Sequence, residues 1–396
     1  MNLVTILEGK TRLTVPKASV AGPVPPTTPV FFNPAASLNR DISVAVTQAD
    51  RGRTFCDALA GVGARGVRVA NEVGRRMDVT MVDFNSDSLK LAARSARLNG
   101  VSKRCSFVTE EANTFLHSLF RRDQKFDYVD IDPFGTPAPY LQAAFKAVSG
   151  GGLVSVTATD TAVLCGVYPH VARRRYWATP LNNSFHHETA VRILANACRR
   201  VAATIDIGVA PVLAHSTRHY LRVFLRAEVG ASKADESMKN EGYVIRCAKC
   251  GHVTQATEPS SKCEKCGARA RSAGPLWAGR MVDQGVLEAT LLACRKRKFA
   301  MAAKVIESLV GLNEFPPYSY SLEEICSTLK VASVSPEKVA ESLESKGFKT
   351  HGQPFEKTGL KTDALHEDVV SAVREAANRR AGNGQDGFDD PVQPSQ

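Results

Sequence analysis

The chain has 396 residues, and its 51 Lys and Arg against 40 Asp and Glu give a formal net charge of +11 and an isoelectric point near 9.2. This excess favours a polyanionic partner, although charge alone does not separate nucleic acid from an anionic membrane surface. The sequence has no run of about 18 apolar residues and no apolar signal-peptide segment at its start. It therefore predicts a cytoplasmic protein without a transmembrane helix, and nothing in it indicates an obligate protein partner.

Residues 1–230 alternate β-branched runs with helical stretches, which predicts an N-terminal arm followed by an α/β domain with a mainly parallel sheet. In chain order the predicted strands are Leu3–Leu7, Arg12–Val15, Thr54–Leu59, Val79–Val82, Cys105–Val108, Phe126–Ile131 and Leu153–Thr157. One predicted helix follows a glycine turn and ends near Val73. Another begins at Ser86 or Asp87 and stops at Asn99–Gly100.

The remainder of the chain divides by composition into a linker, a cysteine-rich segment, a second domain and a tail. Residues 231–242 are polar and predict a linker, and residues 243–273 hold two cysteine pairs. Residues 274–375 return to helical periodicity and predict a small α+β domain similar to a winged helix, with Pro336 in the first turn of a helix. Residues 376–396 are rich in Gly, Asn, Asp and Pro, which predicts disorder.

A glycine turn, Gly61-x-Gly63-x-x-Gly66, follows the third predicted strand and opens a helix. Glycines there let the backbone approach a ligand closely, and Asp83, at the end of the next strand, can accept hydrogen bonds from ribose hydroxyls. This pattern indicates a nucleoside-containing cofactor but does not separate NAD from S-adenosylmethionine. The acidic groups at neighbouring strand ends favour the sulfonium, which carries positive charge and no phosphate.

The segment Asp132-Pro133-Phe134-Gly135 follows the predicted strand Phe126–Ile131, where α/β sheets place their chemistry. It suits methyl transfer to an amino group on a nucleobase. The Asp132 carboxylate and the Pro133 carbonyl can accept the two N–H groups, and Phe134 can stack on the base. The simpler alternative is an Asp-Pro turn in which Phe134 belongs to the core.

An arm upstream of the first sheet strand carries Phe31-Phe32-Asn33-Pro34 and Leu38-Asn39-Arg40-Asp41. Aromatic residues beside Asn and Arg suit a base pocket or a clamp for a cofactor carboxylate. From the residues alone, the simpler interpretation is a structural arm whose phenylalanines are core and whose Arg40 pairs with Asp41.

Four cysteines form two pairs, Cys247-x-x-Cys250 and Cys263-x-x-Cys266, separated by twelve residues, and a glycine follows each pair. This spacing predicts a zinc knuckle, in which four thiolates close a tetrahedral structural site and leave no open position for catalysis. The cluster has a basic rim that predicts either an RNA contact or a solvated surface: Arg246, Lys249, Lys262, Lys265, Arg269 and Arg271.

Two segments interleave arginine or lysine with aromatic residues, a combination suited to phosphate contact and base stacking. They are Arg173–Trp177 and Arg295–Phe299. For the first, the alternative is a helix end that packs Trp177 in the core. For the second, we expect Arg295, Arg297 and Lys298 to contribute to nucleic-acid binding.

Three separated motifs, in this order, resemble the tRNA (guanine-26 N2)-dimethyltransferases in their archaeal form. They are the arm motif Phe31–Asp41, then Asp132–Pro137, then Thr159-Asp160-Thr161-Ala162 with Leu164-Cys165-Gly166. His187-Glu188 with Arg192–Leu194, and Gly274–Trp277, are also similar, and the resemblance spans about residues 3 to 370. It implies a class I (Rossmann-like) methyltransferase domain and a C-terminal domain peculiar to the family. The zinc knuckle rests on the cysteine spacing, since only some members of the family carry the four cysteines, and we expect the C-terminal domain to bind the tRNA.

The resemblance further implies which residues work at the site. Asp132, Pro133 and Phe134 would hold the guanine, with Phe31 and Asn33 lining the pocket. The residues expected to contact S-adenosylmethionine are Arg40, Arg65, Asp83, Glu111 and Ala112. The sequence departs from the family pattern at residues 35–37, which are Ala-Ala-Ser, and at Glu111, where Asp is common.

The expected activity is dimethylation of N2 of guanosine 26 in tRNA by direct transfer from two S-adenosylmethionine molecules. No cysteine lies beside Asp132–Gly135 to form a covalent intermediate. Three alternatives remain at the level of sequence. They are another guanine-N2 or adenine-N6 methyltransferase of nucleic acid, an NAD-dependent oxidoreductase, and a non-catalytic zinc-bearing RNA-binding protein.

Overall fold

The computed structural model describes residues 2–22, 30–217, 220–356 and 359–382. Its N-terminal arm begins with an antiparallel hairpin of β1 (Leu3–Glu8) and β2 (Thr11–Pro16), as predicted. Leu13 and Val15 of the second strand are fully buried, so the hairpin is anchored on the domain that follows. Helix α1 (Ser37–Ala49) then leads into the main sheet.

The α/β domain contains seven strands and seven helices within the described residues. In chain order they are β3 (Thr54–Asp57), α2 (Ala64–Glu72), β4 (Asp78–Asp83), α3 (Ser86–Leu98), β5 (Cys105–Thr109), α4 (Ala112–Arg121), β6 (Phe126–Ile131), α5 (Leu141–Ala147), β7 (Val148–Ala158), α6 (Thr161–Leu164), α7 (Pro169–Tyr176), α8 (His186–Ala203), β8 (Ile207–Thr217) and β9 (Tyr220–Val229).

The sheet order is β5-β4-β3-β6-β7-β9-β8. The first five strands in this order are parallel, while β9 runs antiparallel to both β7 and β8. Strand β6 lies centrally and its residues 128–131 are buried, as expected for a strand covered on both faces. The predicted strands are present, with two differences of more than one residue in their bounds. Strand β3 ends at Asp57 instead of Leu59, and β7 begins at Val148 instead of Leu153.

Helices cover both faces of this sheet. The first three helices, α1 to α3, contact one another in sequence, and α5 contacts both α4 and α8 to form a second layer. The apolar core lies between these layers and the strands. Because the five parallel strands place their carboxyl ends at one edge, the loops that follow them converge there. The predicted α/β, Rossmann-like fold is confirmed.

The predicted linker over residues 231–242 is wrong. Residues 231–238 form helix α9 (Ala231–Met238), and β10 (Glu241–Cys247) begins directly afterwards. The helix is polar on its outer face but buries Ala234 and Ser237 against α8 and β8. The segment was predicted to be a linker because most of its residues are polar. Only two residues of the helix are buried, so the sequence shows little apolar periodicity.

Strand β10 is the middle of a three-stranded antiparallel sheet with β11 (Val253–Ala256) and β12 (Ala270–Trp277). The residues of this small sheet extend beyond the predicted cysteine segment 243–273 at both ends. The reason is that the strands continue to pair there, Glu241 with Trp277 and Gly242 with Leu276. Strand β12 also packs on α8, so the cysteine-bearing sheet is attached to the α/β domain.

The C-terminal part consists of α10 (Gln284–Arg297), α11 (Ala300–Glu307), α12 (Leu322–Leu329), α13 (Pro336–Glu344), the antiparallel hairpin of β13 (Thr350–Gly352) and β14 (Leu360–Thr362), and α14 (His366–Gly382). Pro336 occupies the first turn of α13, as predicted, with Ser335 as its cap. Helices α10 and α11 pack on α1, and α10 also contacts β8.

The predicted disordered tail begins too early at residue 376. Helix α14 continues to Gly382, because Val369, Ala372, Val373 and Ala376 bury one face of it. Residues 383–396 lie outside the described residues. Within the described ranges, no helix is long and apolar enough to cross a membrane.

Candidate active site and cysteine cluster

The loop Asp132–Gly135 follows β6 at the carboxyl edge of the sheet. Its Phe134 side chain is 78% exposed, so the alternative in which Phe134 belongs to the core is wrong. The Phe134 ring meets Phe31 of the arm edge to face, with ring centroids 4.9 Å apart and planes inclined by 79°. Two aromatic rings therefore stand together at the surface, beside the only partly exposed Asp132 carboxylate.

A group of buried charged side chains contacts Asp132 from the protein interior. Arg65, in the first turn of α2, contacts the Asp132 carboxylate and lies 3.2 Å from Asp130. Arg222 of β9 forms an ion pair with the other oxygen of Asp130. Burial opposes ionisation of Asp132, but the positive charges of Arg65 and Arg222 outweigh it and hold its pKa below the usual range. At neutral pH the loop therefore presents a carboxylate that can only accept hydrogen bonds.

The loop is also fastened to the segment after β7. The backbone N–H of Gly135 donates to Thr159 Oγ1 at 2.7 Å, and the Thr159 N–H returns a bond to the Gly135 carbonyl at 2.9 Å. The Tyr176 hydroxyl of α7 lies 2.8 Å from Thr136 Oγ1 and donates to Asp160 Oδ1 at 2.7 Å. These bonds fix the backbone on which Asp132 and Phe134 stand.

The glycine turn follows β3, which pairs directly with β6, so it lies beside the Asp132 loop at the same edge of the sheet. The Gly61 N–H donates to Asp83 Oδ2 at 2.8 Å, and the Asn85 N–H donates to Asp83 Oδ1 at 2.9 Å. Both bonds to this half-buried carboxylate come from backbone groups, and each oxygen retains lone pairs for a hydroxyl donor.

The three glycines of the turn have different purposes. A Cβ at Gly63 would lie 2.5 Å from the Ala92 Cβ, and one at Gly66 would lie 2.7 Å from the Met81 Cγ, so both serve the packing of α2. Gly61, at φ 52°, has space on that side, and its nearest neighbour is the Phe31 carbonyl oxygen at 3.7 Å. Gly61 is therefore the position where the turn faces outward.

The expected cofactor residues Glu111 and Ala112 lie next along the edge. Glu111 caps α4 by accepting the N–H of Thr114 at 2.9 Å, and Ala112 is buried in the first turn. Burial acts to raise the pKa of Glu111, but backbone N–H groups of α4 outweigh it and lower that pKa. The Glu110 N–H bonds the Asp83 carbonyl at 3.2 Å, which brings this turn beside Asp83.

The arm connects the two halves of the site. Phe31 is half-buried, its carbonyl faces Gly61 and its ring touches Phe134, while Phe32 is buried in the core. Asn33 uses its Oδ1 to accept the Ala35 N–H at 2.9 Å. The arm is thus structural at Phe32 and reaches the site at Phe31.

Arg40 does not pair with Asp41, contrary to the simpler interpretation of the arm. It forms a two-pronged ion pair with Glu8 of β1, at 2.6 Å for each contact, and donates to the Asn33 carbonyl at 3.0 Å. Asp41 pairs instead with the fully buried Arg68 at 2.7 Å. The partner Glu8 lies 32 residues away in sequence, so local spacing gave no signal for it.

Several residues at the site escaped sequence reasoning. Arg222 belongs to none of the predicted motifs, and Thr159 and Tyr176 lie in segments that were singled out without a role in holding the loop. Phe84 directly follows Asp83 and is 78% exposed. An aromatic residue immediately after a strand-end carboxylate was a signal that could have identified it.

The four cysteines converge as the spacing predicts. One sulfur atom from each lies within 4.8 Å of the others, with Cys247 Sγ 3.6 Å from Cys266 Sγ and Cys250 Sγ 3.7 Å from Cys263 Sγ. The two loops have matching geometry, since Gly251 (φ 75°) and Gly267 (φ 69°) each bond back to the first cysteine carbonyl of their own pair. Four sulfur donors at this spacing fit a tetrahedral zinc ion.

Part of the basic rim of this cluster is neutralised. Arg246 forms an ion pair with Glu324 of α12, and Lys265 pairs with Glu367 of α14 at 2.8 Å. A cavity of about 450 Å³ lies beside Arg246, Glu324 and Glu367, and no residue of the Asp132 loop lines it. It is bounded by the cysteine loop and the C-terminal helices and includes none of the expected catalytic residues.

Comparisons with known proteins identify the family to which the chain belongs. The sequence model of the family described as TRM, N2,N2-dimethylguanosine tRNA methyltransferase, matches residues 9–374. The chain is 37% identical to the tRNA (guanine(26)-N(2))-dimethyltransferase of Methanosarcina acetivorans, over 93% of this chain and 98% of that protein. It is 35% identical to the enzyme of the same name from Methanopyrus kandleri, over 95% and 98%.

A solved structure is similar over nearly the same length. It is that of Trm1 from Pyrococcus horikoshii in complex with S-adenosyl-L-methionine, with 28% sequence identity and a TM-score of 0.83. The match covers 93% of this chain and 99% of that one. The likeness therefore includes the small sheet and the C-terminal part as well as the α/β domain.

Proposed function

Because this chain belongs to the N2,N2-dimethylguanosine tRNA methyltransferase family and dimethylates guanosine 26 of tRNA with S-adenosyl-L-methionine, we propose that the Asp132–Gly135 loop holds the guanine. The observation that carries the proposal is the exposed Phe134 ring beside an ionised Asp132, joined through Phe31 to the Gly61 turn. The family assignment excludes the oxidoreductase and the non-catalytic alternatives.

The loop acts by holding and orienting a poor nucleophile. The N2 lone pair of guanine is delocalised into the ring, so the nitrogen attacks weakly. The Asp132 carboxylate and the Pro133 carbonyl each accept one N–H, which draws the nitrogen towards sp³ geometry and directs its lone pair. Phe134 and Phe31 provide the faces against which the base stacks, and Asn33 lines the pocket. The low pKa of Asp132 suits it to holding an N–H instead of retaining a proton.

The cofactor side is proposed to comprise Asp83, Glu111, Ala112, Arg40 and Arg65. When bound, S-adenosylmethionine supplies an electrophilic methyl group, and positioning plus electrostatics account for the rate. Two features favour binding of S-adenosylmethionine at this place. They are the outward-facing Gly61 and the half-buried Asp83 carboxylate, whose lone pairs suit ribose hydroxyls. Arg65 has a second role, since it connects α2 of the cofactor side to Asp132.

Because two methyl groups are transferred to the same nitrogen, the loop must hold two different forms of the guanine amino group. The guanine amino group has two N–H bonds before the first transfer and one before the second. Asp132 and Pro133 can therefore both be satisfied only in the first round. In the second round the existing methyl group takes the place of one N–H, and the neighbouring rings of Phe31 and Phe134 offer an apolar surface for it.

We propose that the cysteine cluster holds a structural zinc ion through Cys247, Cys250, Cys263 and Cys266. Four thiolates leave no open position, so the ion would join β10 to the loop before β12 without taking part in methyl transfer. Zinc content near one per chain at this site, lost in Cys266→Ser, would support the assignment. A wild-type protein that folds and dimethylates tRNA after complete zinc removal would contradict it.

The C-terminal part over residues 274–375, predicted to be winged-helix-like, is proposed to bind the tRNA body. The supporting observation is the order of two helices followed by a short hairpin. A tRNA substrate also supports a cytoplasmic location.

The test of the function is incubation of the full chain with an unmodified tRNA transcript and labelled S-adenosylmethionine, followed by nucleoside analysis and mapping. We expect N2-methylguanosine to appear first and N2,N2-dimethylguanosine to replace it at position 26. A transcript carrying adenosine at position 26 is the control and should remain unlabelled. Product at another guanine or at adenine-N6 would overturn the proposed target in favour of the alternatives.

A further inference from the structure

A second group of metal-ligating side chains lies away from the cysteine quartet. The sulfur of Cys165 and one ring nitrogen each of His186 and His187 lie within 4.8 Å of one another. Cys165 follows α6, and the two histidines begin α8, so residues about twenty positions apart converge. We propose that these three side chains bind a divalent transition metal, Zn²⁺, at a site distinct from the zinc knuckle.

The hydrogen bonds of the two histidines determine which nitrogen atoms remain for a metal. His186 Nδ1 is bonded to the Asn183 carbonyl, and His187 Nδ1 lies 2.7 Å from Glu356 Oε2. A carbonyl and a carboxylate only accept, so each Nδ1 must carry the hydrogen. The lone pair of each neutral ring is then on Nε2. Metal-binding histidines are commonly oriented in this way, by an oxygen acceptor on the nitrogen opposite the metal.

The three groups do not satisfy one another without a further partner. Two Nε2 lone pairs and one thiol offer two acceptors but a single S–H donor. The two rings lie close together, with centroids 4.3 Å apart and planes inclined by 39°. A cation accepts both lone pairs and the sulfur at once. One thiolate and two imidazoles form a donor set suited to Zn²⁺.

The backbone around the group is tightly held. The Glu356 carboxylate binds His187 twice, since its Oε1 also accepts the His187 N–H at 2.7 Å. A Cβ at Gly166, which has φ 92°, would lie 2.7 Å from the backbone nitrogen of Asn182. The turn after Cys165 is therefore pressed against the segment that precedes the histidines.

Metal binding at this group releases one proton. Burial, with a smaller effect of Glu356, raises the pKa of Cys165 to about 12, so its sulfur is a thiol before the metal arrives. On binding, the Cys165 S–H proton passes to solvent and the thiolate, the two Nε2 atoms and one water complete four ligands. The histidines are half-buried, which leaves a path for the ion and the water.

The location suggests what the ion would stabilise. Helix α6 begins directly after Thr159 and Asp160, which fasten the Asp132 loop. Glu356 belongs to the C-terminal part, between β13 and β14. The ion would thus connect the wall of the active site to α8 and, through His187, to the C-terminal hairpin.

The test is the zinc content of the full-length protein after equilibration with zinc chloride and gel filtration, measured by mass spectrometry. Cys165→Ser and His187→Ala should each contain one zinc equivalent fewer than the wild type. Cys105→Ser, which removes a half-buried thiol elsewhere, should contain the wild-type amount. Because the result is a difference, it does not depend on whether the knuckle carries zinc or on tRNA methylation.

A more conservative substitution keeps the proposal testable if Cys165→Ser or His187→Ala fails to fold. Glu356→Gln retains a side chain of the same shape and should weaken zinc binding at this site by about 10- to 100-fold, as expected for an orienting partner. Circular dichroism would verify that each variant is folded. The proposal is overturned if folded Cys165→Ser and His187→Ala retain the wild-type zinc content, or if Glu356→Gln binds zinc as tightly as the wild type.

Discussion

Two helix ends in this protein have nearly the same composition and opposite environments. Arg173–Trp177 closes α7, and Arg295–Phe299 closes α10. In both, a run of basic residues occupies the last helical turn, where positive charge suits the helix dipole. Both helices also end on a residue in the left-handed region, Trp177 at φ 53° and Lys298 at φ 59°.

The difference is in what the aromatic and basic side chains contact. Trp177 is 47% exposed, which makes the alternative of a core tryptophan wrong, and Arg175 pairs with Asp160 beneath the active-site loop. Phe299 is 8% exposed and lies under the guanidinium of the buried Arg68. The first segment therefore borders the substrate site, whereas the second joins the C-terminal part to the α/β domain.

Arg297 shows why composition could not separate these roles. Its guanidinium donates to the Glu72 carbonyl and to Gln48 Oε1, the latter at 3.2 Å, so it lies across α1 and α2. The structure therefore does not support a tRNA contact for Arg297, one of the three residues predicted to bind tRNA with Arg295 and Lys298. A basic run next to an aromatic residue indicates a positive helix end, and the neighbours decide whether that end faces RNA or another element.

The largest expected effect within this comparison is on folding. Arg297→Ala should lower the free energy of unfolding by about 2–3 kcal/mol, because charged hydrogen bonds to partly buried partners are lost. Thermal and urea unfolding would measure it. Arg295→Ala is the matched control, since Arg295 forms an exposed ion pair with Glu307 and should change stability by less than about 1 kcal/mol. Equal effects of the two substitutions would refute the distinction.

The next effect is on tRNA binding. Replacing Arg173 and Arg174 together by alanine should weaken binding about tenfold and reduce the salt slope by roughly two, because both side chains are exposed beside the active-site loop. Titrations at several salt concentrations would measure this.

The control for that double variant is Arg121→Ala with Arg122→Ala. These exposed arginines lie at the C-terminal end of α4. Because the first turn of α4 lies at the active-site edge of the sheet, its last turn lies towards the opposite edge. The control therefore removes the same two positive charges at a place away from the active site. If both double variants weaken binding equally, the effect reflects net charge and the proposed contact at α7 is wrong.

The smallest effect concerns the two left-handed helix ends. Lys298→Gly should stabilise the protein by about 0.5 kcal/mol, because glycine adopts this conformation without a steric cost. Trp177→Gly tests the other end, where the lost side chain is also a candidate RNA contact. Unfolding curves measure both. A clear loss of stability in Lys298→Gly would mean that contacts of the lysine outweigh the backbone strain.

Local signals in the sequence predicted much of the site. Asp83 and Asp132 became candidates because each directly follows an apolar strand, and the convergence of the four cysteines was predicted from the spacing typical of a metal site. These features depend on residues close together in the chain. The parallel sheet then brings the strand ends to one edge without further information.

The rest depended on contacts between distant residues. The partners of Arg65, Asp130 and Asp132, lie 65 and 67 positions away, and Arg222 reaches Asp130 across 92. No periodicity or motif encodes these pairs. The helix over 231–238 was missed for a related reason, since it packs on α8, β8 and β9, which precede it in the chain.

The most direct test of the central claim compares methyl transfer and cofactor binding in Asp132→Ala. Arg65 retains its contact with Asp130 in this variant, so the fold and the cofactor side should be preserved. We expect single-turnover methylation of tRNA to fall by about 100- to 1,000-fold, on the scale of losing one preorganised polar contact. Calorimetry should give nearly unchanged affinity for S-adenosylmethionine. A variant that methylates guanosine 26 at close to the wild-type rate would contradict the claim that Asp132 holds the amino group.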